Sequence, residues 1–137
     1  MDEIKPIINT INPKKIYLAS PYWHSDERIR ETRFKLVTRA TAHFVLQGYI
    51  VFSPITHSHP ISCEMDRGEH KPGGVLGHDF WLNQDMHFLN WAEELWILML
   101  DGWEKSYGVK WETDYMYIDQ KVIRYVNPDT LEFEDAP

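Results

Sequence analysis

Three short apolar runs, each halted by a polar or proline-bearing pair, constrain what this chain can fold into more than any other feature. "KIYLASPY" (15–22) ends in Ser20-Pro21, "YIVFSP" (49–54) in Ser53-Pro54, and "ELWILML" (94–100) at Asp101-Gly102. Proline cannot donate to a sheet, so the first two runs read as strands that stop sharply. The third is apolar at consecutive positions and reads as a strand buried on both faces.

The stretches between these runs carry helical spacing. Over residues 26–47, Asp26 stands as an N-cap, Ile29, Leu36, Val37, Ala40 and Phe44 recur on one side, and Gly48 closes the segment. Helical spacing returns from about Gly77 to Ala92. "GVKWETDYMYIDQ" gives a further helix and "VIRYVN" a further strand before Pro128. Residues 55–76 hold prolines, paired glycines and many polar side chains without a sustained period, so an irregular segment is expected there, mobile and covering a pocket. The tail from 127 to 137 is acidic and expected to be extended or partly mobile.

Strands alternating with helices predict an α/β fold, a flavodoxin-like (Rossmann-like) parallel sheet flanked by helices. With 137 residues the chain is expected to be a single domain over 1–137, its core about 15–126. Ligands of such sheets bind beyond the carboxyl ends of the strands, where the strand order reverses. Here those ends are "SPY", "SPITHSHP" and "DGWEKSYG".

The formal charge is −7, and no Lys/Arg cluster forms a stripe that could track phosphates. A nucleic-acid polymer is therefore not expected as partner, whereas a small molecule is. Cys63 is the single cysteine, which excludes an intrachain disulfide and fits a reducing cytosol. The opening "MDEIKPIINTINPKK" has acids and prolines where an export signal has an apolar stretch, and no apolar run reaches the ~20 residues of a membrane span. A cytoplasmic protein with no membrane partner is expected.

Two acids break the apolar stripes. Asp85 lies within the stripe formed by Leu82, Met86, Leu89 and Ala92, and Glu112 shares the inward face of Val109, Thr113 and Met116. A carboxylate on an inward face is costly unless paired, so each either caps a loop, pairs with an inward cation such as Arg33, or does chemistry. Near a helix N-terminus the free N–H groups favour an anionic Glu112. Burial would push Asp85 toward the role of proton donor. A carboxylate nucleophile beside a carboxylic acid is the arrangement that cleaves a glycosidic bond.

His57, His59 and Cys63 lie close together, with His70 and His78 beyond them, but no Cys-x2-Cys or His-x3-His pairing is present. No metal and no cofactor is expected. His59 either packs before Pro60 or reaches a ligand. Trp23, Trp81 and Trp103 either join the core or stack on one, with Trp103 the strongest stacking candidate.

"KIYLASPY", "GYIVFSPITHSHPI" and "NQDMHFLNWAEELWILMLDGWEKSYGVKWETDYM" together resemble the nucleoside 2-deoxyribosyltransferase-like superfamily, which includes the 2'-deoxynucleoside 5'-phosphate N-hydrolases, and within it a small, often phage-borne subgroup. The resemblance spans roughly residues 15–126. It implies a flavodoxin-like fold and cleavage or transfer at the N-glycosidic bond of a nucleoside or nucleoside 5'-monophosphate. By that resemblance Glu112 is the nucleophile that forms a glycosyl-enzyme intermediate, and Asp85 assists departure of the base. Tyr22 lines the site and orients the nucleophile. Ser106 and the Gly108 backbone hold the 5' end of the sugar or its phosphate, and Ser20, Pro21, His59 and Trp103 complete the substrate-binding set. A homodimer or larger homo-oligomer is implied, because relatives complete their sites with a residue from a neighbouring subunit. If the gene is phage-borne, the location is the host cytoplasm. Two positions depart from the pattern: Ala92-Glu93 stands where relatives have Ala-Asp, and bulky "SPYWHSDER" replaces the small-residue phosphate loop of the hydrolase branch. A nucleotide-binding module without catalysis, or a structural or interaction protein, stays open beside the enzyme.

Overall fold

A computed structural model describes residues 4–6, 12–66 and 77–137. It contains β1 (Lys15–Ala19), α1 (Glu27–Leu46), β2 (Ile50–Phe52), α2 (Pro54–Asp66), α3 (Gly77–Trp91), β3 (Glu94–Leu98), α4 (Tyr107–Ile118), β4 (Val122–Val126) and β5 (Phe133–Glu134). The five strands form one sheet in the order β2-β1-β3-β4-β5. The first four are parallel, and β5 pairs antiparallel with β4. This is the α/β architecture that the strand–helix alternation predicts, with the order reversing between β1 and β3.

Alternation along the strands divides the core in two. Ile16 and Leu18 of β1 join Trp96 and Leu98 of β3 against Val37, Ala40 and Phe44 of α1. Tyr17 and Ala19 join Leu95 and Ile97 on the other face, against Leu89 of α3 and Val109 and Met116 of α4. Successive side chains of a strand point to opposite faces, so a strand covered on both sides must be apolar throughout. That is why the runs read as continuous and not as alternating.

The sequence-based reading needs correction at two places. Residues 54–66, expected to be irregular, form α2. Pro54 opens that helix, where its missing N–H costs nothing, and Ser53 Oγ accepts from the Thr56 N–H at 3.2 Å. Pro60 sits inside the helix and disguises it. Residues 67–76, with His70 and the remainder of the expected mobile cover, lie outside the described residues. The tail is anchored: Asn127 Oδ1 accepts from the N–H groups of Asp129 and Thr130, and the Phe133 ring centroid lies 4.8 Å from that of Trp96. The acidic composition hid one aromatic that closes the sheet edge.

Candidate active site

Two loops and four helices enclose a cavity of about 450 Å³ beyond the carboxyl ends of β1, β2 and β3. The loop after β1 contributes Ser20, Pro21 and Tyr22. The turn after β3 contributes Gly102 and Ser106, the first turn of α4 contributes Gly108, and the acids enter from α3 and α4 as Asp85 and Glu112.

Ser106 caps α4 by accepting from the Val109 N–H at 3.2 Å. Glu112 is thereby the sixth helical residue, a turn beyond the free amides of the first, so the helix end does not hold it anionic. Its partner is Tyr17. The Tyr17 hydroxyl donates to Glu112 Oε2 from the neighbouring face of β1. Glu112 is only 4% exposed. Burial pushes its carboxyl up to about 8, with the Asp85 charge adding to the rise and the Tyr17 hydrogen bond opposing it. The Tyr17 hydroxyl is likewise pushed well above its ordinary 10.0, by burial first and by the two carboxylates second.

Asp85 is buried too, and burial raises its carboxyl to about 7. Its Oδ1 and the Ser20 Oγ have no hydrogen-bond partner among the described residues. Buried polar atoms normally find one, and both of these side chains line the cavity. Two desolvated carboxyl groups that both titrate near neutral pH meet the condition acid–base chemistry needs.

Arg33 does not neutralise either acid. Its Nη1 donates to the carbonyls of Tyr22 at 3.3 Å and Trp23 at 2.9 Å, and its Nη2 to that of Asp101 at 3.0 Å. It ties together the loop after β1 and the turn after β3, both of which line the cavity. Gly102 has φ +90°, and a Cβ there would stand 2.8 Å from Arg33 Nη2, so a glycine lets the guanidinium lie against the turn.

The structure gathers Ser20, Pro21, Tyr22, Asp85, Ser106, Gly108 and Glu112 around one cavity, and His59 and Trp103 are not among the residues that line it. His59 stands behind Tyr22, its Nδ1 2.6 Å from the Tyr22 hydroxyl. The ring of Trp103 lies 5.8 Å from that of Tyr125, packed on the α4 side of the core. Trp23 and Trp81 do line the cavity. Glu93, which departs from the resembled pattern, accepts from the Lys15 N–H at 3.2 Å, at the amino end of the strands and away from the cavity.

Tyr17 was not singled out by the sequence reading. Its signal is parity: it shares a face with Ala19, and a buried tyrosine on a central strand needs a partner for its hydroxyl. Among the described residues no group of three or more His, Cys, Asp or Glu is placed to hold a metal ion. No helix among them is long and apolar enough to cross a membrane.

Over residues 14–127 the chain matches the family described as "Domain of unknown function (DUF1937)". No curated protein matches it. Among solved structures it is similar to a 2-deoxyribosyltransferase from the psychrotolerant bacterium Bacillus psychrosaccharolyticus, described as a biocatalyst for the synthesis of antiviral and antitumoral nucleosides. The two share 23% identity with a TM-score of 0.51, over 88% of this chain and 77% of that one. The likeness bears out, at the level of the fold, the resemblance read from the three sequence blocks.

Proposed function

The chain belongs to the DUF1937 family, and we propose that it cleaves or transfers the N-glycosidic bond of a nucleoside or nucleoside 5'-monophosphate. One observation carries this reading: a buried, Tyr17-bonded Glu112 and a buried Asp85 face one cavity at the point where strand order reverses. The shared fold with a 2-deoxyribosyltransferase supports it.

Glu112 attacks the anomeric carbon through its free oxygen, forming a C–O bond as the C–N bond breaks, and the electron pair leaves on the base nitrogen. Asp85, which burial keeps protonated close to neutral pH, donates its proton to that nitrogen. Water or a second base then attacks the same carbon, Asp85 takes the proton released, and Glu112 departs as a carboxylate. The reacting state of the pair holds one proton. Burial leaves Glu112 the weaker acid of the two even with the Tyr17 hydrogen bond, about 8 against about 7, so the reacting form, with the charge on Glu112 and the proton on Asp85, is the less populated arrangement before substrate binds. Positive charge building on the sugar shifts the balance toward an ionised Glu112.

Ser20, Pro21, Tyr22, Ser106 and Gly108 form the substrate-binding wall in this reading, with a homodimer or larger assembly as its working form. Sedimentation or light scattering reads the assembly. The decisive experiment incubates the protein with nucleosides and 5'-monophosphates, with and without a second free base. Free or exchanged base should be seen by chromatography, and a sugar adduct on the α4 peptide by mass spectrometry of quenched enzyme. Absence of released or exchanged base across the panel would leave a ligand-binding module in place of the enzyme.

A further inference from the structure

Arg33 and Lys105 line the cavity, and the glycosidic reading uses neither. Neither forms an ion pair among the described residues. The three bonds of Arg33 go to backbone carbonyls, and a guanidinium has five N–H donors, so two remain without an acceptor among those residues. Carbonyls hold the group in place but leave its charge uncompensated. Burial keeps the Arg33 guanidinium below its ordinary 12.5, with the exposed Asp101 carboxylate opposing from a distance. A partly desolvated cation is costly until an anion meets it.

One corner of the cavity gathers further donors. The Cβ position of Gly102 is 2.8 Å from Arg33 Nη2, which lays the guanidinium against the turn that Lys105 ends. The exposed Lys105 side chain makes no hydrogen bond among the described residues. Next comes the start of α4. Ser106 accepts from Val109 through Oγ and from Lys110 through its carbonyl, which leaves the amides of Tyr107 and Gly108, both on the cavity wall, without a partner there. Ser20 Oγ, 5% exposed and unpartnered, adds a buried donor to the same cavity. Glu112 Oε1, the oxygen that Tyr17 leaves free, lies 4.0 Å from the Cβ position of Gly108. A furanose whose C1' meets Glu112 is wide enough to bring its 5' substituent to these donors.

Acids outnumber bases in the whole chain, 21 to 14, but not in this corner. With one proton shared by Asp85 and Glu112, the cavity sets one negative charge against the two uncompensated positive ones of Arg33 and Lys105. We infer that Arg33 and Lys105 are specificity-determining residues that recognise a phosphate monoester on the ligand, so that the substrate is a nucleoside 5'-monophosphate in preference to the bare nucleoside. The inference rests on the nucleoside reading of the cavity and chooses between the two substrates that reading leaves open. Tyr22, Trp23 and Asp101 hold the Arg33 fork before any ligand arrives, so a phosphate oxygen meets an ordered pair of donors. Lys105 adds a point charge on a flexible stem.

The test measures binding by calorimetry in a Glu112→Gln background, which holds ligand without turnover. The 2'-deoxynucleosides of adenine, guanine, cytosine and thymine are each compared with their 5'- and 3'-monophosphates. For at least one base the 5'-monophosphate should bind at least about tenfold tighter than the nucleoside, as hydrogen bonds to a charged group provide. Added salt should weaken the monophosphate and leave the nucleoside unchanged. Arg33→Gln should cut the monophosphate preference by about tenfold and Lys105→Met by about threefold, while Lys105→Arg keeps it. A merely structural role would weaken nucleoside and monophosphate alike, so the ratio of the two is the readout. Lys105→Met changes an exposed side chain with no contacts to lose, and it keeps the test sound if Arg33→Gln disturbs the loops.

No binding of any 5'-monophosphate overturns the inference, as do equal affinities within every pair, a preference for the 3'-monophosphate, or a ratio that neither variant moves. Base release from nucleosides without a monophosphate preference would sink this inference and spare the glycosidic reading. A preference that falls with the two cations, without base release from any compound, would do the reverse.

Discussion

Glu94 and Glu112 are both glutamates about 95% buried, 5% and 4% exposed, set toward opposite ends of the sheet. Glu94 opens β3 at its amino end. It accepts from Lys14 Nζ at 2.7 Å and Trp96 Nε1 at 2.9 Å, with Arg124 Nε 3.7 Å away. Burial pushes its carboxyl up, but those hydrogen bonds and the charges of Lys14 and Arg124 outweigh burial and hold it below its ordinary 4.5. Glu112, at the carboxyl end, has one neutral donor and a second acid for company, and rises to about 8. Burial alone therefore does not distinguish a working acid from a structural one. The partners do. A cation-paired carboxylate holds the fold, whereas one left with a phenol and another carboxyl is kept available for a ligand.

The largest effect expected from this contrast is catalytic. Glu112→Gln keeps the shape and the Tyr17 contact but removes the nucleophile, so single-turnover base release should fall by at least ~10³ and the covalent adduct should disappear. Glu94→Gln should leave the rate nearly unchanged. If Glu112→Gln released base at near the parent rate, the two glutamates would be equivalent and Glu112 a structural group.

Stability against pH should separate them next. Glu112 and Asp85 have folded-state values of about 8 and about 7, above the ordinary 4.5 and 3.8. Between those limits the folded state holds protons that the unfolded chain has released. The stability they contribute is complete below about pH 4 and is lost as pH rises to 8, by roughly 4 to 5 kcal/mol for each group. Denaturant unfolding should show Glu112→Gln gaining on the parent over that window. For Glu94, held below its ordinary value, the sign reverses: its contribution is present above about pH 4.5 and lost as pH falls further. Parallel pH curves for the two variants would break the comparison.

A smaller loss, about 10² in base release, is expected for Asp85→Asn, shrinking for substrates whose bases leave easily. Leaving-group dependence, read against the parent, is what marks a proton donor. An equal loss across good and poor leaving bases would make Asp85 an electrostatic neighbour only. Smallest is Glu94→Ala, which leaves the buried Trp96 Nε1 without its acceptor and should cost roughly 1–2 kcal/mol in unfolding free energy at unchanged base release.

Much of this was legible in the chain before folding. Consecutive apolar positions in "KIYLASPY" and "ELWILML" required strands covered on both faces, and helical spacing around Asp85 and Glu112 required inward carboxylates, because burial of apolar area dominates where an element lies. Local chemistry also set the caps at Asp26 and Ser106, since a side-chain oxygen one turn away from a free N–H acts within a few residues. The helix of residues 54–66 was hidden by its own prolines, and strand β5 by the acids around Phe133; in both, packing outweighed local composition.

What only the tertiary structure decided is who meets whom. Tyr17 and Glu112 are 95 positions apart and touch because β1 and β3 are adjacent in the sheet, with α4 crossing the face that Tyr17 points to. Tyr22, His59 and Glu31 come from a loop and two helices that the sequence leaves separate. Arg33 appeared able to neutralise a carboxylate and instead spans two loops through their carbonyls. Spacing within one element fixes which face a side chain takes, but the charge state of a carboxyl depends on its desolvation and its partners, and those are contributed by other elements.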